Sequence, residues 1–167
     1  FSIGDTDYEF SIQSISKPFV FALVSQALSC QQARYKIGVN ATGLPFNSVM
    51  AIELNESRTM NPMVNAGAIA TTSLVPGATA EEKWQFIHDG LSRLAGRRLT
   101  LNTEVYESEA ASNQRNQGIA HLLEGYGRMY FDPLQATDVY TKQCSLNVSV
   151  RDLAVMGATL ADGGVNP

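Results

Sequence analysis

The sequence predicts a mainly helical fold with a short antiparallel strand pair at its N-terminus. Residues 7–12 alternate polar and apolar side chains after a turn, as a short strand does. Apolar residues then recur at helical spacing from Phe19, and capping-box patterns begin further helices at Thr79 and Ser149. At 167 residues the chain is long enough for one compact core, so a single domain is predicted.

Within this domain we expect residues 1–12 to form the strands and residues 13–167 a mainly helical lobe. The chain opens on Phe1 rather than Met, inside a predicted strand, and its last residues, 162–167, read as a turn signal. We therefore expect the sequence to be a piece of a longer protein.

The first predicted helix contains Pro18 in its first turn, where the missing N–H costs nothing, and carries apolar residues over 19–28. Residues 41–62 are rich in turn-forming dipeptides. Residues 63–75 are small and apolar on every side, which predicts a fully buried helix that ends at Pro76-Gly77.

The remaining helices are predicted from caps and from apolar spacing. They are expected after Thr79, from Asn102 through Ala111, around residues 119–125, over residues 134–143 and after Ser149.

Composition limits the classes of partner. The chain is 44% hydrophobic and 17% charged with a net charge of −4, which disfavours a nucleic-acid partner. Its apolar runs are far shorter than the roughly 20 residues that span a bilayer, so no membrane anchor is predicted. Cys30 and Cys144 do not make a disulfide framework, and a cytoplasmic location is expected. His88 and His121 have no ligand-spaced partners, so no metal site is predicted.

Ser14 and Lys17 are the pair that could carry chemistry. Residues three apart on a helix share a face, so the serine hydroxyl and the lysine amine can meet. Burial lowers the pKa of a lysine and lets it act as a base toward a serine nucleophile. The simpler alternative is that Ser14 caps a helix and Lys17 is solvated. Lysine at a helix N-terminus opposes the helix dipole, however, which favours a functional role.

Four other polar residues lie in unusual surroundings. Asn65 lies inside an apolar run, where its amide either pairs with backbone in a tight turn or faces a ligand. Glu109 and Asn116 are two helical turns apart and share a direction only if the helix is continuous. Tyr140 lies in an apolar helix, where a phenol is more often part of the core than a catalyst.

Several stretches together resemble one known family. They are "FSIQSISK", "TGLPFNS", "NPMVNAGAI", "SE" before "NQRN", "YTKQCSL" and "MGATLADGGVNP", in this order and spacing. The sequence is similar to the serine-dependent glutaminases of the β-lactamase and penicillin-binding-protein superfamily. The resemblance implies an α+β fold of the serine β-lactamase/DD-transpeptidase type, in which the present chain supplies mainly the helical lobe.

The resemblance also implies an activity and its residues. L-Glutamine would be hydrolysed to L-glutamate and ammonia through a glutamyl ester on Ser14, with Lys17 as its activating partner and no cofactor. Asn65, Glu109, Asn116 and Tyr140 match the substrate-binding positions of the family, together with Ser14. Related enzymes are homodimers or homotetramers, and a cluster of Tyr126, Met129 and Tyr130 is the candidate interface.

Three features of the family are not matched in the sequence: a tyrosine upstream of the serine motif, a second active-site tyrosine, and a lysine motif on a late strand. No lysine is followed by Ser-Gly or Thr-Gly, although the family has a Lys-Ser-Gly-Val stretch on a late strand that supplies an oxyanion-hole amide. The resemblance therefore implies that these 167 residues alone have little or no activity.

Two other functions remain open on the sequence. A penicillin-recognising hydrolase or transpeptidase shares the Ser-x-x-Lys pattern, and residues 145–147 imitate its Ser-x-Asn motif. A helical interaction module would keep the same residues without catalysis.

Overall fold

Helices make up most of the structure, a computed structural model that describes residues 1–166. The helices are α1 (Ser16–Leu28), α2 (Cys30–Ile37), α3 (Met50–Glu53), α4 (Asn65–Ser73), α5 (Ala80–Ala95), α6 (Thr103–Ala111), α7 (Gln114–Gly125), α8 (Pro133–Cys144) and α9 (Val150–Ala161). Within these residues, no helix is both long and apolar enough to cross a membrane.

A small antiparallel sheet of three strands accompanies the helices. Its strands are β1 (Phe10–Ser11), β2 (Thr100–Leu101) and β3 (Leu146–Val148), in the order β1-β3-β2. Phe10 pairs with Val148 and Leu101 with Leu146, so β3, from the far end of the chain, is the central strand.

The predicted strand pair within residues 1–12 is therefore wrong. β1 is the single strand in that segment, and its partner is β3 rather than residues 2–5. Residues 1–5 are exposed, so they have no buried face that would hold a second strand in place. A sheet of three strands replaces the predicted pair, and the mainly helical fold is confirmed.

The predicted caps form as the sequence indicates. At the start of α5, the Thr79 hydroxyl accepts from the Glu82 N–H while the Glu82 carboxylate accepts from the Thr79 N–H. Ser149 and Asp152 make the same reciprocal pair at the start of α9. Each pair satisfies N–H groups that a helix start leaves unpaired.

Helix α4 lies at the centre of the fold. All nine of its residues are buried, and it packs against α7, α8 and α1. Gly67 allows α4 to lie directly against the Asn61–Pro62 segment, because a Cβ there would be 1.7 Å from the Asn61 carbonyl oxygen. At the other end, the buried Lys83 amine donates to the carbonyls of Ser73 and Val75, which closes the C-terminal end of α4.

Two apolar clusters flank the segment that bears Ser14. One joins α1, α5 and α9 to the sheet, and the other joins α4, α7 and α8. A single 3₁₀ turn, residues Gln13–Ile15, connects β1 to α1 and packs on α8. We call it the serine turn. Because it is fixed at both ends by packed elements, the position of Ser14 is set by the whole fold.

The candidate interface residues make contacts inside the chain. The Tyr126 hydroxyl bonds the Glu53 carboxylate, and the Tyr130 hydroxyl donates to the Lys36 carbonyl. Met129 packs on the cluster of α4, α7 and α8. Tyr126 is 38% exposed, so part of this cluster is still open to solvent.

Candidate active site

The serine turn presents Ser14 at the surface of a cavity and buries Ser16. Gln13, directly before Ser14, has a φ of +50°, in the left-handed region that non-glycine residues rarely adopt. Such a conformation costs about 1–3 kcal/mol and persists only where surrounding contacts impose it. Ser14 itself is exposed, whereas Ser16, two residues on, is fully buried.

Lys17 is a buried amine, and none of the carboxylates among residues 1–166 pairs with it. Its residue is 3% exposed, and Nζ donates to the Met63 carbonyl at 3.1 Å and to Asn65 Oδ1 at 2.8 Å. Burial lowers the pKa of Lys17 from its ordinary value of 10.5, although the nearby Cys144 thiol acts in the opposite direction. The side chain is therefore buried and hydrogen-bonded rather than the solvated residue of the simpler alternative.

The expected contact between Lys17 and Ser14 is not a direct hydrogen bond. Across residues 1–166, the polar partners of Lys17 Nζ are Met63 and Asn65, both outside its own helix. Phe46 adds an aromatic ring whose centroid lies 5.7 Å from the amine.

Asn65 begins α4 and links two other site residues. Its Oδ1 accepts from Lys17, and its Nδ2 donates to Asn116 Oδ1 at 3.0 Å. Its backbone N–H donates to the Phe46 carbonyl. The amide therefore pairs with side chains from α1 and α7 rather than closing a tight turn on itself.

Glu109 and Asn116 reach the same cavity from two different helices. α6 ends at Ala111 and α7 begins at Gln114, so the continuous helix needed for a shared direction is absent. The bend at residues 112–113 nevertheless brings both side chains to one cavity. Glu109 is exposed and Asn116 half-buried, which leaves a carboxylate at the mouth.

Tyr140 and Cys144 lie one turn apart on α8 and close the floor of the cavity. Tyr140 is 4% exposed, and burial raises the pKa of its phenol well above the ordinary value. Burial also raises the pKa of the Cys144 thiol, to about 11. Both groups are therefore protonated at neutral pH, and Tyr140 is available as a hydrogen-bond donor beside Ser14.

The cavity itself has a volume of about 250 Å³. Five residues predicted from the sequence line it: Ser14, Asn65, Glu109, Asn116 and Tyr140. Lys17 lies behind this lining, bonded to Asn65. Five lining residues were not predicted: Gln13, Phe46, Asn113, Thr141 and Cys144. All five lie in the stretches that carry the family resemblance, which is the signal that could have found them, and Thr141 and Cys144 also lie within a turn of Tyr140 on α8.

A larger open groove, of about 750 Å³, lies elsewhere between α1, α5 and α9. Its described lining is mainly apolar and contains no carboxylate. Residues 145–147, the possible Ser-x-Asn motif, also lie outside the cavity, since the Ser145 hydroxyl donates to Thr141 O on α8 and Asn147 accepts from Asn102. The smaller cavity is therefore the candidate active site.

Comparison with known proteins gives a consistent result. A family model described as glutaminase matches residues 1–167. A glutaminase 2 of Yersinia pestis is 69% identical over 166 residues, 99% of this chain and 49% of that protein. A glutaminase of Brucella canis is 53% identical over 167 residues, 100% of this chain and 53% of that protein.

Solved structures agree with this result. The probable glutaminase ybaS superposes with a TM-score of 0.97 at 48% identity, over 100% of this chain and 54% of that one. A Bacillus glutaminase crystal structure superposes with a TM-score of 0.94 at 33% identity, over 98% of this chain and 55% of that one. The chain spans about half the length of the curated relatives it matches.

Proposed function

Because the chain belongs to the glutaminase family, we propose that the protein hydrolyses L-glutamine to L-glutamate and ammonia through an ester on Ser14. One observation carries the proposal. Ser14, Asn65, Glu109, Asn116 and Tyr140 come from five separate segments and line one cavity. At about 250 Å³ it is smaller than the roughly 300–1,000 Å³ pockets of drug-sized ligands, which suits a single amino acid.

The proposed first step forms the ester. Ser14 Oγ attacks the side-chain amide carbon of glutamine, and the hydroxyl proton passes to the neutral amine of Lys17. The carbon–nitrogen bond then breaks as that proton moves to the leaving nitrogen, and ammonia departs. Water attacks the ester in the second step, releasing glutamate and restoring Ser14.

The contacts of Lys17 support its role as the base. A neutral amine has two N–H groups, and Met63 O and Asn65 Oδ1 accept both. This arrangement leaves the lone pair for the proton of Ser14. Catalytic hydrogen bonds are often long or absent without substrate and tighten when it binds, which accounts for the missing direct contact between Lys17 and Ser14.

The polar groups at the mouth fit the free ends of an amino acid. At neutral pH glutamine carries an α-ammonium and an α-carboxylate. Glu109 provides the negative charge for the ammonium, and the amide groups of Asn65 and Asn116 provide donors for the carboxylate. The protonated Tyr140 phenol donates a hydrogen bond toward Ser14 Oγ, the attacking oxygen.

The test measures ammonia and glutamate release in two proteins. One is the 167-residue chain, and the other is a chimera in which these residues replace the matching segment of the Yersinia pestis glutaminase 2. We expect the chimera to be active, its Ser14→Ala variant to lose nearly all turnover, and a Ser2→Ala control at an exposed position to retain it. Undiminished turnover by Ser14→Ala would refute the proposal. The same assay tests the expected low activity of the 167 residues alone.

We further propose a cytoplasmic homodimer or homotetramer. Cys30 is exposed and Cys144 buried, and neither is in a disulfide, which suits a reducing compartment. The exposed part of Tyr126 is the candidate contact between copies. Light scattering coupled to size-exclusion chromatography tests this assembly, and a monomer at assay concentrations would contradict it.

A further inference from the structure

A buried hydrogen-bonded chain leads from the interior of the protein to the serine turn. Ser16 Oγ donates to the Gln13 carbonyl at 2.8 Å, and Gln143 Nε2 donates to Ser16 Oγ at 2.9 Å. The single proton of the Thr72 hydroxyl is shared between Gln143 Oε1, at 3.2 Å, and the Ala68 carbonyl one turn back on α4, at 3.1 Å. Ser16 and Thr72 are fully buried and Gln143 is 1% exposed, so the chain is shielded from water.

The hydrogen-bonded chain ends at the carbonyl of Gln13, the residue with the strained backbone. Gln13 is one of three non-glycine residues with a positive φ in the described part of the protein, and it directly precedes Ser14. Rotating the Gln13–Ser14 peptide group would change the direction of the carbonyl that Ser16 holds. A bond on this carbonyl therefore restricts the orientation of the Ser14 side chain.

The same hydrogen-bonded chain connects three of the five segments that contribute residues to the cavity. Thr72 lies on α4 with Asn65, Gln143 lies on α8 with Tyr140, and Ser16 follows the serine turn with Ser14. Neither Thr72 nor Gln143 lines the cavity, so they do not contact a ligand there. A glutamine amide is rarely buried so completely, and here both of its polar atoms are paired within the chain.

We propose that Gln143 is a positioning residue for the Ser14 nucleophile. It acts through Ser16, which holds the Gln13 carbonyl and so keeps the serine turn in its strained conformation. Thr72 fixes the Gln143 amide and so ties the turn to α4. This inference rests on the proposed function, since its effect is on the reaction of Ser14.

The main test is Gln143→Met in the chimera, which keeps the side-chain volume but removes both hydrogen bonds. We expect kcat to fall about 10- to 100-fold, since small displacements of a reacting group have effects of this size. KM for glutamine stays within about twofold, because Gln143 is outside the cavity. A kcat within about twofold of the unsubstituted chimera would overturn the proposal.

A matched control separates positioning from stability. Thr137 is also buried on α8, and its hydroxyl bonds the Pro133 carbonyl within the helix, away from the serine turn. Thr137→Val therefore removes a buried hydrogen bond without touching the chain. We expect it to lower the unfolding temperature while kcat stays unchanged, and a kcat loss equal to that of Gln143→Met would overturn the proposal.

A double variant tests whether Gln143 acts through Ser16. If it does, Ser16→Ala with Gln143→Met has the kcat of Ser16→Ala alone. Multiplicative losses in kcat would show that Gln143 acts by another route and would overturn the proposal.

Gln143→Glu gives an answer if Gln143→Met does not fold. A protonated glutamic acid both donates and accepts, so it restores the chain, whereas its carboxylate cannot donate to Ser16. Since burial favours the protonated form, we expect kcat to match that of the unsubstituted chimera where the glutamic acid is protonated and to fall where it ionises. A kcat that stays more than about 10-fold lower at every pH would overturn the proposal. If the unsubstituted chimera is inactive, the proposed function itself fails, and this inference falls with it.

Discussion

The close approach at Gly67 leads to a quantitative prediction for Gly67→Ala. The added Cβ would lie 1.7 Å from the Asn61 carbonyl oxygen and 2.5 Å from its carbon, whereas real Cβ contacts below 3.0 Å essentially do not occur. Both obstructing atoms are backbone, so no side chain can rotate away. Either α4 or the Asn61–Pro62 segment must move by more than an ångström.

The cost of this movement can be estimated. Overpacking a buried site costs about 1–3 kcal/mol, and a backbone-to-backbone conflict belongs at the upper end of that range or above it. Replacing glycine by alanine in a helix returns about 1 kcal/mol. We expect a net loss of about 2 kcal/mol and a fall in Tm of about 4–8 °C for a chain of this length.

The same change should also affect the candidate site. Asn61 Oδ1 accepts from the backbone N–H groups of Met63 and Val64, and the Met63 carbonyl accepts from Lys17. Displacing Asn61 therefore disturbs one of the two partners of the proposed base. We expect kcat of the Gly67→Ala chimera to fall at temperatures where the protein remains folded.

Thermal and urea unfolding followed by circular dichroism provide the assay. Gly118→Ala is the matched control, because Gly118 is an exposed helical glycine and, among the described residues, an added Cβ would meet nothing within 4 Å beyond its chain neighbours and the nearby backbone of its own helix. It should gain about 0.5–1 kcal/mol from helix propensity. If Gly67→Ala were as stable as Gly118→Ala, the close contact between α4 and Asn61 would be refuted.

Three further predictions concern charged residues. Because burial lowers the pKa of Lys17, activity of the chimera should rise with pH and then level off, with the midpoint of the rise below pH 10.5. Lys17→Arg, whose guanidinium cannot release its proton, should be inactive at every pH tested. An unchanged pH profile in Lys17→Arg would exclude Lys17 as the base. Glu109→Gln should raise KM for glutamine about 10- to 100-fold and abolish the preference for glutamine over an analogue without the α-amino group. Initial-rate kinetics with both substrates measure this preference, and its retention would contradict the prediction. Burial alone would raise the pKa of the Asp152 carboxyl, but hydrogen bonds from Arg97 and Ser149 hold this pKa below 3.8. The stabilisation of the folded state by Asp152 is therefore present above pH 3.8 and is lost as the pH falls through the pKa of the folded state. Asp152→Asn should therefore cost about 2 kcal/mol at pH 7, and urea titrations that show the same cost at about pH 2 would contradict this.

Helices with local signals could be predicted from the sequence. The capping boxes of Thr79 and Ser149 and the small apolar run of α4 are encoded within a few residues, and the structure confirms all three. α2 was not predicted, because its sequence, CQQARYKI, mixes polar and apolar residues without a clear period.

The sheet could not be predicted for a different reason. Its strands are two or three residues long, and β1 pairs with β3 across almost the whole chain. A period-two pattern needs more residues than that, and the pairing depends on how the helices pack. The alternation in residues 7–12 therefore indicated a strand but gave no information about its partner.

The site divides in the same way. Ser14 and Lys17 are close in sequence, so their spacing suggested a pair. The Lys17 amine nevertheless donates to Asn65 in α4 and to Met63, which precedes that helix. Glu109 and Asn116 meet across a helix break whose angle the sequence does not specify. Ser16 had no role on the sequence, because its partner Gln143 becomes a neighbour only in the fold.

Helix α4 has a buried lysine at each end, and its direction gives the two amines opposite electrostatic surroundings. Lys17 lies by the N-terminal end, where the helix dipole places partial positive charge, and Lys83 bonds carbonyls at the C-terminal end, where the charge is partially negative. The helix dipole therefore favours the neutral amine at Lys17 and the protonated ammonium at Lys83. Burial lowers the pKa of both lysines, so the dipole of this one short helix adds to the effect of burial at Lys17 and opposes it at Lys83.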